Sequence, residues 1–252
     1  MEVHHHPEVE KKGLKEYVLE GLMIFLAVTM GFFAESIRES IGDNAKEHEY
    51  ITSMIEDARK DTAAIHWCIR VNSAREKAAR TLANMCYNYD VSKSNDAILY
   101  IQFHAATYHP DYVYPVERTL TQLKNSGGMR LIRKKAAVDS IIAYEDETKK
   151  LVSQQEAYQY YLNNWEEQAE QIFNLKYLHI QNSKQKISAS KPGDTIYNGL
   201  LFTRDKMILA NAGNSVSTYG AVVDFYVYRL KETEVHSVNL IHTLQKEYHL
   251  KE

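Results

Sequence analysis

"HHHPEVEKKGLKEYVLEGLMIFLAVTMGFFAESIRES", residues 4–40, decides how the rest of the chain is read. It is either an expression tag on a soluble protein or the native start of a membrane protein. His4, His5 and His6 are few for an affinity tag, and Pro7 follows them with no linker. Adjacent histidines at a terminus bind metals weakly and unselectively, so they read as a native polar cytoplasmic tip. From Gly21 to Ala34 every residue except Thr29 is apolar or small. Starting the segment at Tyr17 gives 18 residues, about 27 Å of helix at ~1.5 Å per residue. That matches the hydrocarbon thickness of a bilayer.

Flanking charge sets the expected orientation. Lys11, Lys12 and Lys15 precede the apolar run, whereas Arg38 and Lys46 follow it at greater distance. The positive-inside rule then places the N-terminus in the cytoplasm and exports the C-terminal part. A cleaved signal peptide is disfavoured because Phe32 stands where a small residue is wanted before a cut after Ala34. A buried core helix is disfavoured because the segment is apolar all round, which suits lipid better than the edge of a soluble domain. The expected organisation is a cytoplasmic tail (1–16), a transmembrane helix (17–34) and a helical periplasmic domain (35–252). Glu20 lies in the first turn of the apolar run. It reads as an interfacial carboxylate able to reach Lys15 or Lys12, or else as an intramembrane group serving a proton or a partner helix.

The remaining composition is that of a helical protein. Of 252 residues only ten are Gly and four Pro, which favours long uninterrupted helices. A net charge of −3 supplies no basic excess for a nucleic-acid binder. The mean hydropathy of −0.45 excludes a polytopic membrane protein and leaves room for one span. Cys68 and Cys86, on one straight helix, would stand roughly 27 Å apart, too far for a disulfide. They read as buried small apolar groups.

Ile51, Ile55, Ala58, Thr62, Ile65, Ile69 and Asn72 form a heptad-like stripe on a helix from about Asn44 to Tyr87. Glu47, Glu49, Glu56, Asp57, Lys60, Arg70 and Lys77 are assigned to its other faces. This helix is free to continue from the membrane segment and to pack within the domain or on a second copy, as coiled coils do. Ser94 or Asn95 caps a short helix ending near Ala106. Residues 107–117, TYHPDYVYPVE, read as a loop, with Pro115 in the first turn of the next helix, which stops at Gly127–Gly128. A second long helix is expected from Arg133 to Leu178. Its buried side is marked by Val138, Ile141, Ile142, Leu151, Val152, Tyr158, Leu162, Trp165, Ile172 and Phe173. Residues 182–194 read as a mobile loop. A helical piece from about Phe202 to Ala212 and a last long helix from Ser215 to Tyr248 follow, the latter with Tyr219, Val222, Val223, Tyr226, Leu230, Val238, Ile241 and Leu244 inward. The fold expected is all-α: a single N-terminal transmembrane helix followed by an elongated bundle of long helices.

Three segments carry a family resemblance: KEYVLEGLMIFLAVTMGFFAESIRE (15–39) with EHEYITSMIEDARKD (47–61), LTQLKNSGGMRLIRKKAAVDSIIAYE (120–145) and, more weakly, LIHTLQKEY (240–248). They resemble a widespread family of Bacteroidota proteins of uncharacterised function with one N-terminal span and a helical exported domain. The resemblance implies an inner-membrane, cell-envelope location and brings no catalytic residue with it.

Motifs of catalysis are absent from the sequence. No glycine-rich phosphate loop or nucleophile elbow occurs, and no HxxxH or ExxH pair builds a carboxylate-bridged metal site of the kind found in helix bundles. His66, His104, His109, His236, His242 and His249 read as structural. The 18 tyrosines, among them Tyr108, Tyr112, Tyr114, Tyr158, Tyr160 and Tyr161, read as closing wet helix seams rather than as ligand contacts. The function expected is therefore non-enzymatic, with neither cofactor nor metal nor small-molecule substrate. A membrane-anchored envelope protein would meet the lipid bilayer, other envelope proteins or copies of itself. The alternative is a stator-like subunit of an ion-driven complex using Glu20.

Overall fold

The computed structural model describes residues 13–108, 110–178 and 183–251. His4, His5, His6, Lys11, Lys12, His109 and the first residue of segment 182–194 lie outside them. Among the described residues the protein is all-α. It comprises α1 (Leu14–Tyr87), α2 (Asp96–Thr107), α3 (Arg118–Asn125), α4 (Lys135–Ala169), α5 (Ser183–Ala189), α6 (Thr195–Gly199) and α7 (Lys206–Tyr248). Short 3₁₀ turns occupy Gly128–Leu131 and Leu175–Tyr177. The chain divides into two units, Met1–Tyr50 and Ile51–Glu252, and α1 contributes to both.

In the first unit the large side chains of the apolar run are exposed, Phe25 at 65% and Phe32 at 74%. Among the described residues α1 is the one helix long and apolar enough to cross a membrane, with a mean hydropathy of 1.9 over its most apolar 18 residues. Thr29 interrupts this run without cost to the helix, since its hydroxyl donates to the Phe25 carbonyl one turn back at 2.7 Å. Glu35 and Arg38 open the polar continuation as an i,i+3 pair at 2.5 Å.

The second unit is built on residues 51–87 of α1 together with α4 and α7. Tyr144 meets Asp61 and Tyr158 meets Asn72, so α4 runs in the same direction as α1. Ser237 meets Thr62, and Asn214 and Ser217 meet Tyr87, so α7 runs opposite. The α1 stripe faces inward as its spacing predicts: Ile51, Ile55, Ala58, Ile65 and Asn72 are buried, with Thr62 and Ile69 partly so. Each fully buried Ile or Leu of such a seam contributes about 1.5–3 kcal/mol. Cys68 and Cys86 are buried free thiols on α1, as the sequence suggests. Burial pushes Cys68 up to about 11, with Asp111 adding to it, and Cys86 up to about 12.

Several expectations are corrected. Glu47 and Asp57 are buried, not on an outer face of α1. Pro115 stands before α3, which begins at Arg118. α4 ends at Ala169 rather than Leu178, because the chain turns and pairs Phe173 with Leu201. Ile142, Val152 and Val238 are exposed by 38–49%. Segment 182–194 contains α5, whose Ile187 is buried. The two predicted C-terminal helices are one, α7, unbroken from Lys206 to Tyr248.

Candidate functional site

Glu20, the one functional residue singled out from the sequence, lies on α1 in the first unit. It is partly buried while Tyr17, Val18, Leu19, Leu22 and Met23 around it are exposed.

Two polar assemblies occur in the second unit. The first fastens the Tyr-rich segment 107–117 to the bundle. Asn72, fully buried on α1, donates to the Cys68 and Asp111 carbonyls at 2.9 Å and accepts from Tyr158 Oη at 3.1 Å. Tyr219 Oη donates to the Ala106 carbonyl at 2.9 Å. Gln155 Oε1 accepts from Tyr226 Oη at 2.9 Å and from the Val113 amide at 3.1 Å. Arg75, 3% exposed, donates to the Thr107 and Tyr108 carbonyls, each at 3.2 Å. Backbone groups that an irregular segment cannot pair within itself are thereby satisfied by helix side chains. Burial raises the pKa of Tyr112, Tyr158, Tyr219 and Tyr226, so their hydroxyls stay protonated and act as donors. Tyr158, Tyr219 and Tyr226 close seams, but not the wet ones expected, since each is fully buried with its hydroxyl bonded to a protein group. Tyr114 and Tyr160 differ, at 80% and 62% exposed.

The second assembly encloses a cavity of about 350 Å³ between α1, α3 and α4. α1 presents Met54, Asp57, Ala58 and Asp61 to it, a spacing of three, one and three that keeps all four on one face. The segment from Pro115 to Lys124 forms the second wall, and Ile141 to Glu156 of α4 the third. Each wall is tied to another by a carboxylate. Asp57 accepts from Arg118 Nη2 at 2.8 Å, from the Thr119 amide at 3.2 Å and from Thr119 Oγ1 at 2.5 Å. Glu117, the N-cap residue of α3, makes no side-chain cap bond, so Asp57 of a neighbouring helix supplies the acceptor that an N-terminus needs. Asp61 accepts from the Val116 amide at 2.9 Å and from Tyr144 Oη at 2.6 Å. Glu145 on α4 pairs with Lys124 on α3 and with Lys149 at 2.6 Å.

Asp61 and Glu145 differ electrostatically. Burial holds Asp61 above the usual carboxylate range, against the bonds from Tyr144 and Val116, and Asp57 adds to the upward push. Burial also pushes Glu145 up, but the hydrogen bonds and charges of Lys124 and Lys149 outweigh it and leave its pKa lowered. A lowered carboxylate contributes stability that is present above its unfolded pKa of about 4.3 and is lost as pH falls through its folded value. The acid limb of a thermal-melting profile should therefore flatten in Glu145→Gln below about pH 4.3. A variant profile parallel to the native one would remove Glu145 from this role.

The sequence did not single out Asp57, Asp61, Tyr144 or Glu145. A signal existed, since Asp57 and Asp61 each directly precede a stripe residue, Ala58 and Thr62. A helix face widens beyond its stripe when a third element packs on its flank, and α3 is that element. Among the described residues no group of three or more His, Cys, Asp or Glu could hold a metal ion. Compared with known proteins, the chain matches no family model, no curated protein and no solved structure.

Proposed function

We propose that this is a non-enzymatic, membrane-anchored protein of the cell envelope whose helical second unit acts through protein–protein contacts or self-assembly. The observation that carries this reading is the apolar run in α1, whose large side chains stand exposed in the first unit. Water-exposed apolar surface of that extent is unfavourable at about 25 cal/mol per Å², and a bilayer removes it. The lysines before the run favour a cytoplasmic N-terminus and a periplasmic second unit in the inner membrane. The resemblance of segments 15–39, 47–61 and 120–145 to the Bacteroidota family supports the same topology. A reporter active only in the periplasm, fused at the C-terminus, should be active. Activity restricted to a cytoplasmic reporter would reverse the orientation.

The second reading, a stator-like subunit of an ion-driven complex, is favoured by Glu20, an acidic residue partly buried at the start of the run. Glu20→Gln separates the two. An interfacial Glu20 tolerates the near-isosteric amide, so insertion, abundance and co-purifying partners should change by less than about twofold, because hydration at headgroup level is kept. Glu35→Gln is the control at the other end of the run. A complex that dissociates in Glu20→Gln alone, with the chain still inserted, would favour the ion-driven reading.

A further inference from the structure

The cavity between α1, α3 and α4 combines an apolar floor with an uneven charge. Met54, Ala58, Val116, Leu120 and Ile141 supply the floor, with Val152 at the rim. Five carboxylates and two lysines line the space, and both lysines are held by Glu145. Asp57 is matched by Arg118. Asp61 is not matched in this way: its hydrogen-bond donors are the neutral Tyr144 hydroxyl and Val116 amide, and among the described residues no ion pair reaches it, the adjacent Lys60 acting on it only as a charge without a hydrogen bond. Only 2% of Asp61 is exposed. Each of its oxygens has accepted one hydrogen bond and retains a second lone pair. A buried carboxylate without an ion-pair partner is expensive, and a cation in direct contact relieves that cost. A mostly apolar concavity with a few convergent polar groups is the usual form of a small-molecule site.

We infer that this cavity binds a small organic cation, a primary amine carrying an apolar body, with its ammonium at Asp61 and its body against Leu120, Ile141 and Val152. The charge balance argues against an organic anion, which would meet a carboxylate that lacks an ion-pair partner. It also argues against a purely apolar guest, which would leave Asp61 as it is. Hydrogen bonds between an ammonium and a carboxylate are roughly twice as strong as neutral ones, and this sets the expected selectivity.

The test is calorimetric titration of the full-length chain in detergent with phenethylamine and with phenethyl alcohol, its neutral isostere. Val152→Trp is the blocked reference, because Val152 is already 38% exposed and a larger side chain there fills the cavity from its rim. Saturable amine binding at least about tenfold tighter than alcohol binding is expected, with both lost in Val152→Trp. In Asp61→Asn the amine should weaken about tenfold while the alcohol keeps its affinity, because only the charge is removed. If Asp61→Asn fails to fold, the native chain and Val152→Trp decide alone. Equal affinities for amine and alcohol, no saturable amine binding, or amine binding that survives in Val152→Trp would each overturn the inference.

Discussion

Trp165→Ala is expected to lower the folding stability of the second unit by about 3–5 kcal/mol, the range for deleting a fully buried aromatic side chain. Trp165 is 1% exposed and meets Phe103 edge-on at 6.4 Å between centroids. Phe103 in turn stacks on Phe173 at 4.1 Å and 3°. One indole thus links α4 to α2 and to the turn that follows α4. Its Nε1 also donates to Thr107 Oγ1 at 2.9 Å, and Thr107 is fully buried, so truncation leaves a cavity and strips a hydrogen bond together. Urea unfolding followed by far-UV circular dichroism should show a lower midpoint with an unchanged slope. Trp165→Phe keeps much of the volume and should lose roughly half as much. A loss below about 1 kcal/mol for the alanine variant, the scale of an ordinary surface change, would remove Trp165 from the centre of this core.

Asp57→Ala is expected to cost roughly 3 kcal/mol, because it leaves the buried Thr119 amide and hydroxyl without their acceptor and Arg118 without its counter-charge. The loss should be local before it is global. α3 is only eight residues long and takes its N-terminal acceptor from Asp57 rather than from its own N-cap residue. Hydrogen exchange at the Thr119 amide should accelerate more than exchange in α4 or α7. Asp57→Asn retains an acceptor and should lose about half as much. Unchanged protection at Thr119 in Asp57→Ala would show that α3 is held by its apolar face, through Leu123, and not by the carboxylate.

The long helices were legible because their inward residues recur at helical spacing, and the short α2 and α3 because their ends carry specific chemistry. Asn95 caps α2 through the Ala97 and Ile98 amides, and Gly127 adopts a left-handed φ of 67° just past α3. Where the reading failed, tertiary contacts overrode local pattern. The helices expected at 202–212 and 215–248 left a gap at Gly213 and Asn214, yet α7 passes straight through it. Gly213 is there for clearance: a Cβ at that position would lie 2.8 Å from the Tyr87 ring. The apolar pattern of α4 runs on through Ile172 and Phe173, and both are buried, but by a turn. Asn174 donates to the Leu200 carbonyl and Phe202 to the Ile172 carbonyl, a pairing between segments that no local periodicity encodes. The cavity was hidden for the same reason, since its three walls are far apart in sequence and Asp57 reads as solvent-facing until α3 packs on it.

The central claim, that the first unit is held in a membrane by residues 17–34, is tested most directly by alkaline carbonate extraction of membranes carrying the full-length chain. A spanning helix is not displaced by conditions that strip peripheral contacts, so the chain should remain in the membrane pellet. A chain lacking residues 17–34 serves as the soluble reference. Recovery of the full-length chain in the supernatant would contradict the account.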